Sequence, residues 1–250
     1  MTHYLGIMNY KGGMGKTSLV AHLAIGLSRR DKRVLTIDLD PQGSLARLLN
    51  YTHEAGAYDL LTGVPWQDCI TPVTDKLHSI GGDERLFPAS LQLSQTPDRE
   101  RVLKHSLRDL DAAYDYVLVD SSPSFDLLAQ NVLLCTEALL VPVAMDYMAI
   151  DGLKQLINNI DRVNRLFSTS IAIRYAVPTF SMPAQTRTKA VMGQLKETVS
   201  ESCITPAIRQ STAVVNASGH NQTVYDYNPK APVCSDYEAL IDIVIGDTNA

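Results

Sequence analysis

Apolar residues fall along this chain in two alternating rhythms. Short runs recur at Tyr4–Met8, Arg33–Ile37, Leu77–Ile80, Tyr116–Val119, Ala138–Val143 and Ile171–Val177. Between them, apolar positions return every three or four residues near 17–30, 98–110, 125–136, 150–166, 186–200 and 233–244, which is the spacing of one helix face. Apolar strands alternating with amphipathic helices mark βαβ units, whose parallel sheet is covered on both sides. The pattern predicts an α/β fold, a three-layer, doubly wound and mostly parallel sheet. Asp31 and Lys32 make the turn after the first helix. No internal repeat or low-complexity linker interrupts the alternation, so residues 1–250 read as one domain. Ligands of such sheets bind at the carboxyl ends of the strands, and the segments just after each run are where chemistry is sought.

The first of these segments is Lys11-Gly12-Gly13-Met14-Gly15-Lys16-Thr17-Ser18, between the Tyr4–Met8 run and the apolar positions Leu19, Val20, Leu23, Ala24 and Leu27. A strand feeding a glycine loop feeding a helix is the context of a phosphate-binding loop. Inward backbone N–H groups and the positive helix end make a polyphosphate site. Lys16 would reach the terminal phosphates, and the Thr17 hydroxyl would ligand Mg²⁺. The usual pattern has glycine where this chain has Tyr10, and Lys11 adds a second lysine at the loop entrance.

Two more segments end strands in carboxylates. Asp38-Leu39-Asp40-Pro41-Gln42-Gly43 closes the second run, and its aspartates, two apart on a strand, would point the same way. Tyr116-Val117-Leu118-Val119-Asp120 is an apolar strand ending in a Mg²⁺-holding aspartate. Turn formation alone would also account for Asp, Pro and Gly in the first of these, but its coincidence with the glycine loop favours a phosphate site.

These residues together resemble the ParA/MinD superfamily of deviant Walker A ATPases. The loop matches that family's K-G-G-x-G-K-[ST], residues 38–43 its D-x-D-P-Q-G, and Asp120 its Walker B aspartate, although Asp120-Ser121-Ser122-Pro123-Ser124 stands for the usual D-T-P-P-S. Phe87-Pro88-Ala89-Ser90 matches a family L-P-A-[ST] strand, Val141-Pro142-Val143 with Tyr147 through Leu153 matches I-P-V…Y-x-A-L-x-G-L, and Val224 through Pro229 resembles [VI]-x-x-Y-D-P, with Tyr237 as the later tyrosine. Coverage is nearly the whole chain, nearest the ParA/Soj partition branch. The resemblance implies ATP and Mg²⁺ as cofactors, held by Lys11, Gly12, Gly13, Met14, Gly15, Lys16, Thr17, Ser18 and Pro206. It implies a metal shell of Thr17, Asp38 and Asp120. Catalysis falls to Lys11, Lys16 and Asp40, with Lys11 crossing to the partner's ATP in a homodimer and Asp40 positioning water. No arginine finger stands out beyond Lys11, which implies slow hydrolysis accelerated by a ParB-like or cargo-adaptor protein.

Composition narrows this further. Hydrophobic residues are 45% of the chain and charged residues 20%, ordinary for a globular protein. Cys69, Cys135, Cys203 and Cys234 form no C-x-x-C pair and none lies in 121–130, which speaks against a disulfide framework and against the cluster-bridging iron–sulfur relatives. No secretory pattern and no transmembrane run appear, so the location is read as cytoplasmic; association with the nucleoid is what the resemblance implies. No long extension precedes Tyr4, so an N-terminal operon-regulating helix-turn-helix is not expected.

Net charge is −5, yet residues 151–230 carry nine Lys and Arg against five Asp and Glu. A cationic face for non-specific DNA is therefore sought in Arg187, Lys189 and Lys196 on one helix and in Arg209, the position that the family uses for DNA; a solvated charged surface is the plainer alternative. The family's P-R-N-V-R segment is reduced here to Pro206-Ala207-Ile208-Arg209. A MinD-like membrane cycle would need a basic amphipathic tail, and Ile241–Ala250 is acidic, so no membrane partner is expected. Metabolic P-loop enzymes are the remaining alternative. Cargo is not legible.

Overall fold

The computed structural model describes residues 1–248. Seven strands form one sheet: β1 (His3–Ile7), β2 (Val34–Leu39), β3 (Thr71–Pro72), β4 (Leu77–Ile80), β5 (Tyr116–Ser121), β6 (Ala138–Ala144) and β7 (Ile173–Thr179), in the order β3-β4-β2-β5-β1-β6-β7. All pairs are parallel except β3 with β4. The doubly wound sheet expected from the apolar rhythm is therefore present, with β3 as an unforeseen antiparallel edge too short to show any period.

Alternation along each strand divides the core. Leu35, Ile37, Val117, Val119, Leu139 and Val141 meet the Leu127–Cys135 and Tyr147–Phe167 helices on one face. Leu5, Ile7, Val34, Leu118 and Leu140 meet the Lys16–Arg29 and Pro232–Thr248 helices on the other. The second group shares its face with Thr36, Asp38 and Asp120, so the two strand aspartates point toward the helix that begins at Lys16.

Three sequence expectations change. The helix anticipated over 98–110 is a short turn at Arg99–Arg101 followed by Val102–Ser106. Buried Asn131 explains the break: its amide donates to Arg99 O at 2.9 Å and its carbonyl accepts Leu103 N at 2.9 Å, pinning this segment to the neighbouring helix. The Phe87-Pro88-Ala89-Ser90 segment lies in the Leu86–Leu93 helix, not a strand. Pro88 is its third residue, within the first turn, where no intrahelical partner is needed for the missing N–H. Finally, β2 stops at Leu39, so Asp40 begins the loop instead of extending the strand.

His22 joins the first helix to the C-terminal third. It is fully buried and stacked on Tyr237 with ring centroids 4.3 Å apart. Its Nε2 accepts Val224 N at 2.9 Å, which leaves the proton on Nδ1, 2.6 Å from Ser18 O. Burial lowers its pKa from 6.5 to about 4 by desolvating the charged ring; a second proton would also make Nε2 a donor facing the Val224 N–H. The unfolded chain binds that proton first, so the contribution of His22 is complete above pH 6.5 and lost as the pH falls toward 4. Chemical denaturation across this range should show a loss of about 3 kcal/mol that is largely absent in His22→Gln; equal acid slopes would contradict this role.

Candidate nucleotide and magnesium site

The site gathers at the carboxyl ends of three adjacent central strands. β1 runs into the glycine loop, β2 carries Asp38 and β5 carries Asp120, with β5 lying between the other two. Gly15 sits at φ 87°, a left-handed turn that directs the chain into the helix beginning at Lys16. Asn9 braces the loop entrance: its amide donates to Pro142 O at 2.8 Å and its carbonyl accepts Lys11 N at 3.0 Å. Asn9 thus ties the loop to β6, a role that the motif spacing does not announce.

The two loop lysines have separate stations. Lys16 is buried, its Nζ 3.5 Å from Lys11 O, and burial lowers its pKa against the opposing pull of Asp120 and Asp40. Lys11 points elsewhere, half-exposed, with its Nζ 3.6 Å from Asp146 Oδ1. Asp146 caps the Tyr147–Phe167 helix by accepting Met148 N, and no motif had marked it.

Asp38 and Asp120 are in direct register on neighbouring parallel strands, and both are fully buried. Asp38 accepts Asp40 N at 2.9 Å and Leu45 N at 3.3 Å. Among the described residues neither oxygen of Asp120 has a hydrogen-bond partner, although the Thr17 hydroxyl and the Lys16 ammonium lie close enough to favour its charged form. Desolvation raises the pKa of both carboxyls, and the mutual repulsion of the pair raises that of Asp38 further. Buried acceptors without donors are costly, and a cation would relieve that cost. Among the described residues no three His, Cys, Asp or Glu side chains converge on one point. One or two carboxylates completed by phosphate and water suit Mg²⁺, which keeps several waters and is rarely caged by protein alone. The residues present fit that ion: Thr17 and Asp120 at its shell, with Asp38 beside them.

Asp40 lies just outside, half-buried, with its Oδ1 accepting Gln42 N at 2.9 Å. Beside Gly15 and Ser18 opens a mostly apolar cavity of about 160 Å³, walled by Phe180, Ile208, Val214 and Tyr237. Pro206 is exposed, in the loop that leads to Ile208. Arg209 also borders this cavity, where Asp236 grips it through Nε at 2.6 Å, NH2 at 2.7 Å and the backbone N at 3.0 Å. On the Thr186–Thr198 helix, Lys189 and Arg187 are exposed and have no carboxylate partner among the described residues, and Lys196 pairs with Glu201. The helix pitch places Lys189 and Lys196 on one side and Arg187 nearly opposite.

A glycine loop after a central strand, a buried lysine on it and a buried aspartate ending a neighbouring strand define a P-loop nucleotide-binding protein. Residues 2–173 match the family model described as AAA domain. The chromosome-partitioning ATPase Soj of Thermus thermophilus is 30% identical over 241 residues, covering 96% of this chain and 94% of that protein. The fold is shared with apo McdA of Cyanothece (TM-score 0.89, 22% identity, covering 98% of this chain and 100% of that one). It is shared equally with a Mycobacterium smegmatis cobyrinic acid a,c-diamide synthase bound to an ATP analogue and magnesium (TM-score 0.88, 24% identity, 100% and 97%). The chain belongs to the AAA-domain family and, within it, to the ParA/Soj partition ATPases.

The unpaired Asp120 yields a prediction for the nucleotide-free protein. The unfolded carboxyl ionises near its ordinary 3.8, the folded one higher, so folding favours the protonated form and stability falls as pH rises from about that value. Asp120→Asn should therefore melt above the unsubstituted protein at pH 7–8, with the gain shrinking toward pH 4. Added Mg-ATP should reverse the ranking. An Asn variant that melts lower at pH 8 without ligand would contradict the account of Asp120 as a charge waiting for a cation.

Proposed function

We propose that this chain is a positioning ATPase whose copies close on each other around ATP. As a member of its family it is an ATPase that uses ATP and Mg²⁺, and the finer reading concerns what hydrolysis switches. The observation that carries it is the division between the two lysines. Lys16 is buried beside Asp120, where it serves the phosphates of its own subunit, whereas Lys11 is parked on Asp146 outside that site. A cation with no task in its own pocket fits the role of reaching the phosphates of a second copy. Buried between facing phosphates it would contribute far more than on a wet surface.

Mg²⁺, when bound, draws charge from the terminal phosphates. The chain's own residues do the rest: the loop N–H groups and Lys16 hold the phosphates, Thr17 and Asp120 hold the metal, and Asp40 orients the attacking water. The apolar cavity beside Gly15 and Ser18 suits the nucleotide base. The whole chain acts as one unit in this reading.

The dimer would bind DNA without sequence preference and carry a cargo, released when a ParB-like or adaptor protein stimulates hydrolysis. Lys189 is the favoured contact, since Lys196 and Arg209 must first leave Glu201 and Asp236. A membrane cycle finds little support. The Pro232–Thr248 helix buries Val233, Leu240, Ile241 and Val244 in the core, and among the described residues no helix is long and apolar enough to cross a bilayer.

Light scattering should report monomers without nucleotide and dimers with Mg²⁺ and a slowly hydrolysed ATP analogue. Lys11→Ala should bind the analogue yet remain monomeric. DNA titrations on the same samples should give a steeper salt dependence for the dimer, because log affinity falls by about 0.9 per phosphate neutralised for each decade of salt. A Lys11→Ala dimer as stable as the unsubstituted one would sink the reading.

A further inference from the structure

The end of β2, which carries Asp38, and the loop after it, which carries Asp40, lean on a second loop, after β4. Gly82 lies against them so closely that a Cβ there would stand 2.6 Å from Asp40 O, 2.8 Å from Asp38 O and 3.0 Å from the Asp38 carboxyl carbon. The location of both carboxylates therefore depends on where the backbone of Gly82 is held.

Arg85 holds it. Its Nε donates to Asp83 Oδ1 at 2.9 Å and its NH2 to Asp83 Oδ2 at 2.8 Å, while NH1 and NH2 donate to the two oxygens of Asp59 at 3.0 and 2.8 Å. Asp59 in turn accepts Gly56 N at 2.8 Å, and Gly81 O accepts Ala57 N at 2.8 Å. The guanidinium also lies over the Tyr58 ring at 5.1 Å. His53 fills the space under Gly81 and approaches Asp83 at 3.5 Å. One planar fork thus fuses the Gly56–Leu61 and Gly81–Arg85 segments into a shelf, a bidentate geometry that lysine cannot reproduce.

We propose that Arg85 is a positioning residue for hydrolysis: by clamping Asp83 to Asp59 it fixes Gly82 as the backstop that sets Asp38 at the metal and Asp40 at the water. The inference rests on the ATPase reading above and adds to it a support outside the phosphate loop. Arg85 touches neither Asp38 nor Asp40, so it should leave the phosphate cradle alone. Placement errors near an ångström in reacting groups cost up to about 10²-fold in rate.

The test is steady-state ATP hydrolysis, nucleotide affinity and Mg²⁺ titration on the full chain, for Arg85→Gln, Arg85→Lys and Gly82→Ala, with melting temperatures alongside. Arg85→Gln should lower kcat by on the order of 10-fold or more and raise the Mg²⁺ concentration for half-maximal rate several-fold. Its affinity for ATP should stay within about twofold, and Arg85→Lys should recover part of the rate. Gly82→Ala leaves the fork intact and should reproduce the same split, so the proposal stands or falls on it if Arg85→Gln does not fold. Unchanged kcat and Mg²⁺ dependence in the variants, while the unsubstituted protein turns over, would overturn this role alone. So would rate and ATP affinity falling in parallel, the mark of a general structural loss. No Mg²⁺-dependent turnover in the unsubstituted protein would overturn the ATPase reading and this role with it.

Discussion

Two carboxylates buried side by side govern this molecule. Asp38 and Asp120 lie in register on adjacent parallel strands with Lys16 and the Thr17 hydroxyl beside Asp120, and among the described residues neither Asp120 oxygen makes a full hydrogen bond. Such a pair is a standing cost to the fold, which a bound cation would relieve. The surrounding architecture follows from that constraint. Parallel pairing of β2 with β5 brings the aspartates level, the β5–β1 pairing places the glycine loop beside them, and the helix starting at Lys16 aims its positive end at the same point.

Around this centre the loops are held from outside. Asn9 fastens the glycine loop to β6, His22 fastens the first helix to Val224, and Arg85 fastens the shelf behind Asp38 and Asp40. Asn9 and Pro142, His22 and Val224, and Arg85 and Asp59 are all far apart in sequence, so the supports of the site are tertiary. Asp146 joins the same set through its ion pair with Lys11, 3.6 Å from Nζ to Oδ1.

Local motifs were legible because their physics is local. The glycine spacing, Lys16, Thr17 and the aspartate closing an apolar strand each carry a backbone requirement within a few residues, and the alternation of runs revealed the sheet. What escaped the sequence is tertiary. Asn131 cuts the 98–110 helix by bonding to a segment some thirty residues away, the Leu86–Leu93 helix tolerates Pro88 because it falls in the first turn, and Gly82 matters through a backbone contact that leaves no periodicity. Charge counting located a cationic region but not its pairings: Arg209 is gripped by Asp236 and Lys196 by Glu201, partners that only the fold brings near.

If the Asp38–Asp120 pair and the glycine loop serve as one magnesium–nucleotide site, both must engage the same bound ligand. The most direct measurement is an experimental structure of the chain with Mg²⁺ and a non-hydrolysable ATP analogue. The ion should lie beside Thr17 and Asp120, the terminal phosphates on Lys16 and the loop N–H groups, and the base in the cavity by Gly15 and Phe180. An analogue bound elsewhere, or phosphates on the loop with the ion away from Asp120, would contradict this arrangement.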